Sequence, residues 1–343
     1  MEVIFLMKKY KKYLLIGAAA AIAAAALFFA FHGERAASER GGRPKVVATI
    51  FPQYDFARAI GGDRIELSML LKPGMDSHSY SPSPQDIINI QNCDLFIYIG
   101  GENDHWVEKI LDSFDEGKGP KTLKLIDSVS AVEEELAEGM QEEDHGHGHD
   151  HGHAHEDGAE EDGHEHEAEY DEHIWTSPRN AEKMAAAIKE ALASVDPENS
   201  SFYEENARAY AAELEKLDED FRRTTDGGGR RLLVFGDRFP FRYLTDEYGL
   251  KYAAAFPGCS AESEASAATV AYLIDKVRKE NVPVVFHIEM SDEKTADAIC
   301  RETGAKKMLL HSCHNLSREE IEEGATYVAL MRKNLENLKE ALN

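Results

Sequence analysis

Asp171-Glu-His-Ile-Trp-Thr-Ser-Pro-Arg-Asn-Ala181 is the stretch on which the organisation of this chain turns. Upstream lies a tract made almost wholly of acid, glycine and histidine. Downstream begins the first long helix with apolar periodicity. Ser177 is suited to cap that helix and Pro178 to stand as its first residue, where no backbone donor is needed. His173 therefore sits where a polar excursion re-enters a folded body, beside Trp175. It is either a metal ligand at the mouth of a site or a surface imidazole next to a helix start.

Reading outward in both directions, short apolar runs alternate with helical stretches. Strands are expected near Val46–Phe51, Ile65–Leu71, Leu95–Ile99 and Thr122–Ile126, with helices between them. Beyond the excursion, helices are expected at Pro178–Val195 and from about Asn199 to Thr225. In the second of these Tyr210, Leu214, Leu217 and Phe221 recur at helical spacing. Four further strands follow, near Leu232–Phe235, Tyr252–Phe256, Val284–Ile288 and Lys307–Leu310, and a helix from Ala325 to Leu342 ends the pattern. Strands separated by helices of this length pair in parallel through crossovers. The fold class is thus α/β, with two lobes, each a parallel sheet flanked by helices, joined by one long helix. The expected divisions are 1–43, 44–197 including a polar loop at 128–170, a connecting helix at 198–226, and 230–343.

The formal net charge of −26 argues against a nucleic-acid partner. It is also concentrated. Residues 133–172 hold 18 Asp and Glu and no Lys or Arg, so removing them from −26 leaves −8 for everything else. The same tract carries His145, His147, His149, His151, His153, His155, His164 and His166. With nothing apolar to bury it is expected to be disordered in isolation, and its imidazoles to capture metal weakly and in number.

Lys8, Lys9, Lys11 and Lys12 precede 18 uncharged residues, Leu14 to Phe31, and a polar run ends at Pro44. This is the layout of an export signal or an uncleaved membrane anchor, and it places the folded part outside the cytoplasm. The four cysteines, Cys93, Cys259, Cys300 and Cys313, lack the CxxC spacing of a zinc ribbon or redox pair.

In open parallel sheets ligands bind beyond the carboxyl ends of the strands. The loops expected there carry His78, His173, Asp237, the pair His287 and Glu289, and His311-Ser-Cys-His314. Histidines supplied to one cleft by both lobes favour a metal, because neutral imidazole suits zinc and other late divalent ions.

The chain resembles the metal-binding solute-binding proteins of ABC transporters, the zinc and manganese uptake receptors. The resemblance rests on Pro-Gly-Met-Asp-Ser-His78-Ser-Tyr-Ser-Pro-Ser-Pro, on Asp-Glu-His173-Ile-Trp-Thr-Ser-Pro-Arg-Asn-Ala, on Phe256-Pro-Gly-Cys-Ser-Ala-Glu-Ser-Glu-Ala-Ser and on Tyr327-Val-Ala-Leu-Met-Arg-Lys-Asn-Leu-Glu-Asn-Leu. It covers 45–343, and the acidic histidine tract stands where zinc-type members carry one. It implies two lobes on a rigid helix with little hinge motion, and a cation held between them. The cation would pass to a membrane permease driven by an ATPase, with no reaction catalysed and a monomer sufficing. His78 and His173 correspond to the family's first-lobe ligands. In the second lobe the third ligand position falls at Gly236, which has no side chain, and the fourth falls near His311 to Asn315, where His314 is the expected replacement and His311 the second choice. Asp237, Glu289, a water or a histidine of the tract could complete the set. A disulfide between Cys259 and Cys313 is expected to fix His314. The rival readings are a manganese receptor of the same fold, a metal-dependent hydrolase, and an adhesin with an incidental cleft.

Overall fold

The computed structural model describes residues 42–115, 117–135, 139–140, 170–260 and 264–343. The amino-terminal segment 1–41 and all eight histidines of the tract, His145 to His166, lie outside the described residues. The expectations placed on them are therefore not addressed by the structure.

The first sheet contains β1 (Lys45–Ala48), β2 (Glu66–Met69), β3 (Leu95–Tyr98) and β4 (Lys121–Lys124) in the order β2-β1-β3-β4. The second contains β5 (Leu232–Phe239), β6 (Lys251–Pro257), β7 (Val284–His287) and β8 (Lys306–Leu309) in the order β6-β5-β7-β8. Every pairing is parallel. The two topologies are the same, and each reverses direction beside its first strand. That reversal leaves a crevice at the strands' carboxyl ends.

The helices are α1 (Phe51–Gly61), α2 (Pro84–Gln91), α3 (His105–Asp112), α4 (Pro178–Val195), α5 (Ser200–Gly227), α6 (Arg242–Tyr248), α7 (Ala267–Glu280), α8 (Lys294–Thr303), α9 (Arg318–Glu322) and α10 (Tyr327–Leu342). Ser177 caps α4 as expected, its side chain accepting from the Asn180 amide, with Pro178 in the first turn. α5, 28 residues long, spans about 42 Å at 1.5 Å per residue. Its buried face, Tyr203, Ala207, Tyr210, Leu214, Leu217, Phe221 and Thr225, packs on α1 and α4 and on α10. One apolar core runs from Val46 to Leu342 through α5, so both sheets share it.

Three local expectations need correction. The strand expected to reach Phe51 stops at Ala48, because Pro52 places the first turn of α1 there. β5 runs on to Phe239, with its register against β6 irregular between Phe235 and Arg238. The short α9 was not anticipated, although Ser317 and Glu320 form a capping box in which each side chain bonds the other's backbone amide.

Gly236 lies in the irregular part of β5, against α8. A Cβ there would stand 2.4 Å from the Ala296 Cα and 2.6 Å from its nitrogen. Helix backbone cannot yield as a side chain can, so Gly236→Ala is expected to destabilise the protein by about 1–3 kcal/mol. Urea unfolding followed by circular dichroism measures this, and an unchanged midpoint would contradict the packing described.

Candidate metal centre

His78 lies in a turn after β2, in the 3₁₀ segment Ser77–Ser79. His173 precedes a second 3₁₀ turn, Ile174–Thr176, that leads into α4. His314 follows β8. The structure brings these three together: one ring nitrogen from each lies within 4.8 Å of the other two. The ring centroids are 5.1 Å apart for His78–His314, 5.1 Å for His173–His314 and 5.9 Å for His78–His173. Trp175, fully buried, backs the cluster with its ring 5.5 Å from that of His173 and 4.9 Å from that of His314.

Each ring is held from behind. His173 is fully buried, and its Nδ1 faces the Asp171 carboxylate at 3.0 Å. Its Nε2 is equally buried and has no hydrogen-bond partner. An orphaned imidazole nitrogen in a dry site costs free energy unless something electropositive meets it. A cation does so, and the carboxylate behind the ring fixes the tautomer and raises the ring's basicity. The Asn103 side-chain amide lies 2.8 Å from His78 Nδ1 and also donates to Glu172.

The charge environment separates the three rings. Burial, then its histidine neighbours and Arg238, push the His78 pKa down to about 3 and that of His314 well below the ordinary imidazole value. Burial opposes protonation of His173 too. There, however, the carboxylates of Asp171, Glu172 and Glu134 prevail, and its pKa is raised. His78 and His314 are thus neutral and ready to ligate near pH 7, whereas the carboxylates around His173 favour a proton on that ring.

His311 stays outside the cluster. Cys313 has a left-handed backbone, φ 61°, which turns the loop between the two histidines. His311 Nδ1 accepts the Cys313 amide at 2.9 Å, its Nε2 lies 3.3 Å from Glu320, and Asn334 of α10 bonds both its backbone groups. Glu289 is absent from the cluster as well, since its carboxylate takes the amides of Ser312 and His314 and the Ser312 hydroxyl. Asp237 accepts from the Arg238 and Ile288 amides at 2.8 and 3.3 Å. It lies within β5.

Gly236 does not face the histidines at all, because the side chain it lacks would point into α8. The residue of that segment that reaches the cleft is Arg238, whose guanidinium pairs with Asp76 at 3.0 Å and bonds the Ser260 carbonyl. The expected bridge is not formed: Cys259 and Cys313 are not joined. Cys313 is wholly buried in the shared core, with its sulfur 3.8 Å from the His311 carbonyl. Cys259 lies instead by Glu172 and His173.

Sequence reasoning missed Asp171, Asn103 and Arg238. Asp171 was findable, since a carboxylate two residues before a ligand-type histidine is what such a ring commonly donates to. Nothing local marks Asn103.

Two like-ordered parallel sheets on a long helix, with imidazoles from both meeting in the cleft, define a metal-type solute-binding protein. The chain belongs to the family of the periplasmic zinc-uptake complex component A, ZnuA, whose model matches residues 46–341. It is 33% identical over 307 residues to the high-affinity zinc uptake system protein ZnuA of Bacillus subtilis, covering 90% of each chain. It is 31% identical over 300 residues to the zinc-binding lipoprotein AdcA of Streptococcus pneumoniae, covering 87% of this chain and 56% of that protein. The crystal structure of the zinc-bound ZnuA-like domain of that AdcA superimposes with a TM-score of 0.70 at 28% identity, over 88% of this chain and 99% of the domain.

If Asp171 fixes His173 as described, Asp171→Ala should weaken binding at the cluster by about 10–100-fold. Competition with a zinc chelator dye reads this directly, and an affinity equal to wild type would remove Asp171 from the site.

Proposed function

We propose that this extracytoplasmic zinc-uptake receptor takes its cation at His78, His173 and His314 and delivers it to a membrane permease driven by an ATPase. The supporting observation is the buried, unpartnered Nε2 of His173 beside two rings whose surroundings keep them neutral. Three imidazoles offer soft-to-borderline nitrogen donors, which suit zinc, whereas manganese prefers oxygen. That preference separates this reading from a manganese receptor. The protein binds and hands over; it transforms nothing.

The cleft is braced without cargo. The Trp175 indole donates to the Ser312 carbonyl at 2.7 Å, Asn315 donates to the carbonyls of Lys72 and Met75 at 2.8 Å each, and the Gly74 amide donates to the Leu316 carbonyl at 2.9 Å. Arg238 and Asp76 add an ion pair across the same opening. Ligands held in place before binding cost less entropy to organise.

Purified wild-type chain should hold one tight zinc equivalent that His78→Ala or His314→Ala removes, measured by elemental analysis after dialysis against a weak chelator. A tight equivalent surviving in His314→Ala would refute this ligand set. Proton competition should also be single. Because His173 alone of the three rings has its pKa raised above the ordinary imidazole value, affinity should fall as pH drops through and below that raised value, with one proton competing for each ion. Titration calorimetry in buffers of differing ionisation enthalpy counts the protons released, and about three per ion would contradict the charge pattern.

A further inference from the structure

Beside the histidine cluster lies a second group of donors, of which the cluster uses only His173. One atom each of Glu172, His173 and Cys259 fall within 4.8 Å of one another. Glu172 and His173 are buried, whereas Cys259 is only half-buried, on the loop that follows β6. Gly258 lets that loop approach, for a Cβ there would stand 3.0 Å from the His173 Cε1 and 3.0 Å from the Phe239 carbonyl oxygen. The Glu134 carboxylate holds the loop by accepting the Cys259 amide at 3.0 Å, and it also accepts a hydrogen bond from the Cys259 side chain. His173, the residue common to both groups, has a buried Nε2 with no hydrogen-bond partner.

We propose that Cys259, Glu172 and His173 form a second, sulfur-containing site for thiophilic divalent cations of the zinc type, adjoining the three-histidine cluster and sharing His173 with it. The inference rests on the reading of that cluster as a cation site and adds a selective element to it. Binding forms a sulfur–metal bond and releases the thiol proton to the Glu134 carboxylate or to water, with no change of oxidation state. A thiolate with an imidazole and a carboxylate accepts zinc or cadmium and disfavours manganese. Because His173 is common to both groups, one ion passes between them by exchanging Cys259 and Glu172 for His78 and His314 while keeping a single bond throughout. The two groups are therefore alternative positions of one ion.

The test uses cobalt(II) as a spectroscopic probe on the full chain under reducing conditions. In His78→Gln/His314→Gln, which leaves only the sulfur-containing group, added cobalt should give a near-ultraviolet sulfur-to-cobalt charge-transfer band, and adding Cys259→Ser should abolish it. No band in the double variant, or a band that survives Cys259→Ser, overturns the proposal. Should the double variant fail to fold, protection of Cys259 in the wild-type chain from alkylation by cadmium replaces it, and labelling unchanged by cadmium overturns the proposal equally. A failure of the histidine reading looks different: the double variant would then keep the wild-type tight zinc equivalent even with Cys259→Ser added.

Discussion

The bond from the buried Trp175 indole to the Ser312 carbonyl is the constraint on which the rest of the site depends. Trp175 belongs to the segment entering α4 and Ser312 to the loop after β8, so the bond crosses from one sheet's side to the other. Its ring lies against His173 and His314 at once, inclined 57° and 60° to them, and the Tyr327 hydroxyl donates to its carbonyl at 2.6 Å. A buried indole N–H must find an acceptor. The acceptor it finds sets the spacing of the two halves, and hence the separation of the imidazoles they carry.

Around that frame, charge is distributed unevenly. Asp171, Glu172 and Glu134 surround His173, while Arg238 stands near His78 and His314. The carboxylates draw a cation toward the deepest ring. Burial, then the neighbouring imidazoles and the guanidinium, disfavour protons on the other two, and the pairing of Arg238 with Asp76 reduces its repulsion of an incoming ion. Burial alone would have made all three rings equivalent.

Most of the fold was legible in the sequence, because eight short apolar runs separated by helical periods allow few arrangements. Ser177 and Pro178 announced α4, and the spacing of Tyr210, Leu214, Leu217 and Phe221 announced α5. The extension of β5 was not legible, since Gly236-Asp237-Arg238 reads as a loop until α8 is seen packed against its glycine. At the site, placing His78 and His173 after strands pointed to the cleft. The resemblance ranked His314 ahead of His311, and it is His314 that joins the other two rings, but the positive φ at Cys313 that turns the loop between them is not required by the local sequence. The same backbone turn buries Cys313 and so removes the partner that Cys259 was expected to have. Asn103 became visible only in three dimensions, through its contact with a residue 25 positions away.

The bonds that brace the cleft, from Asn315 to the loop after β2 and from Trp175 to Ser312, involve no atom of the cargo. The width of the opening is thus set by the chain's own side chains and carbonyls. The side chains presented at that opening include Met75, Asp76, Arg238 and Met290. Widening that opening therefore requires bonds within the chain itself to break.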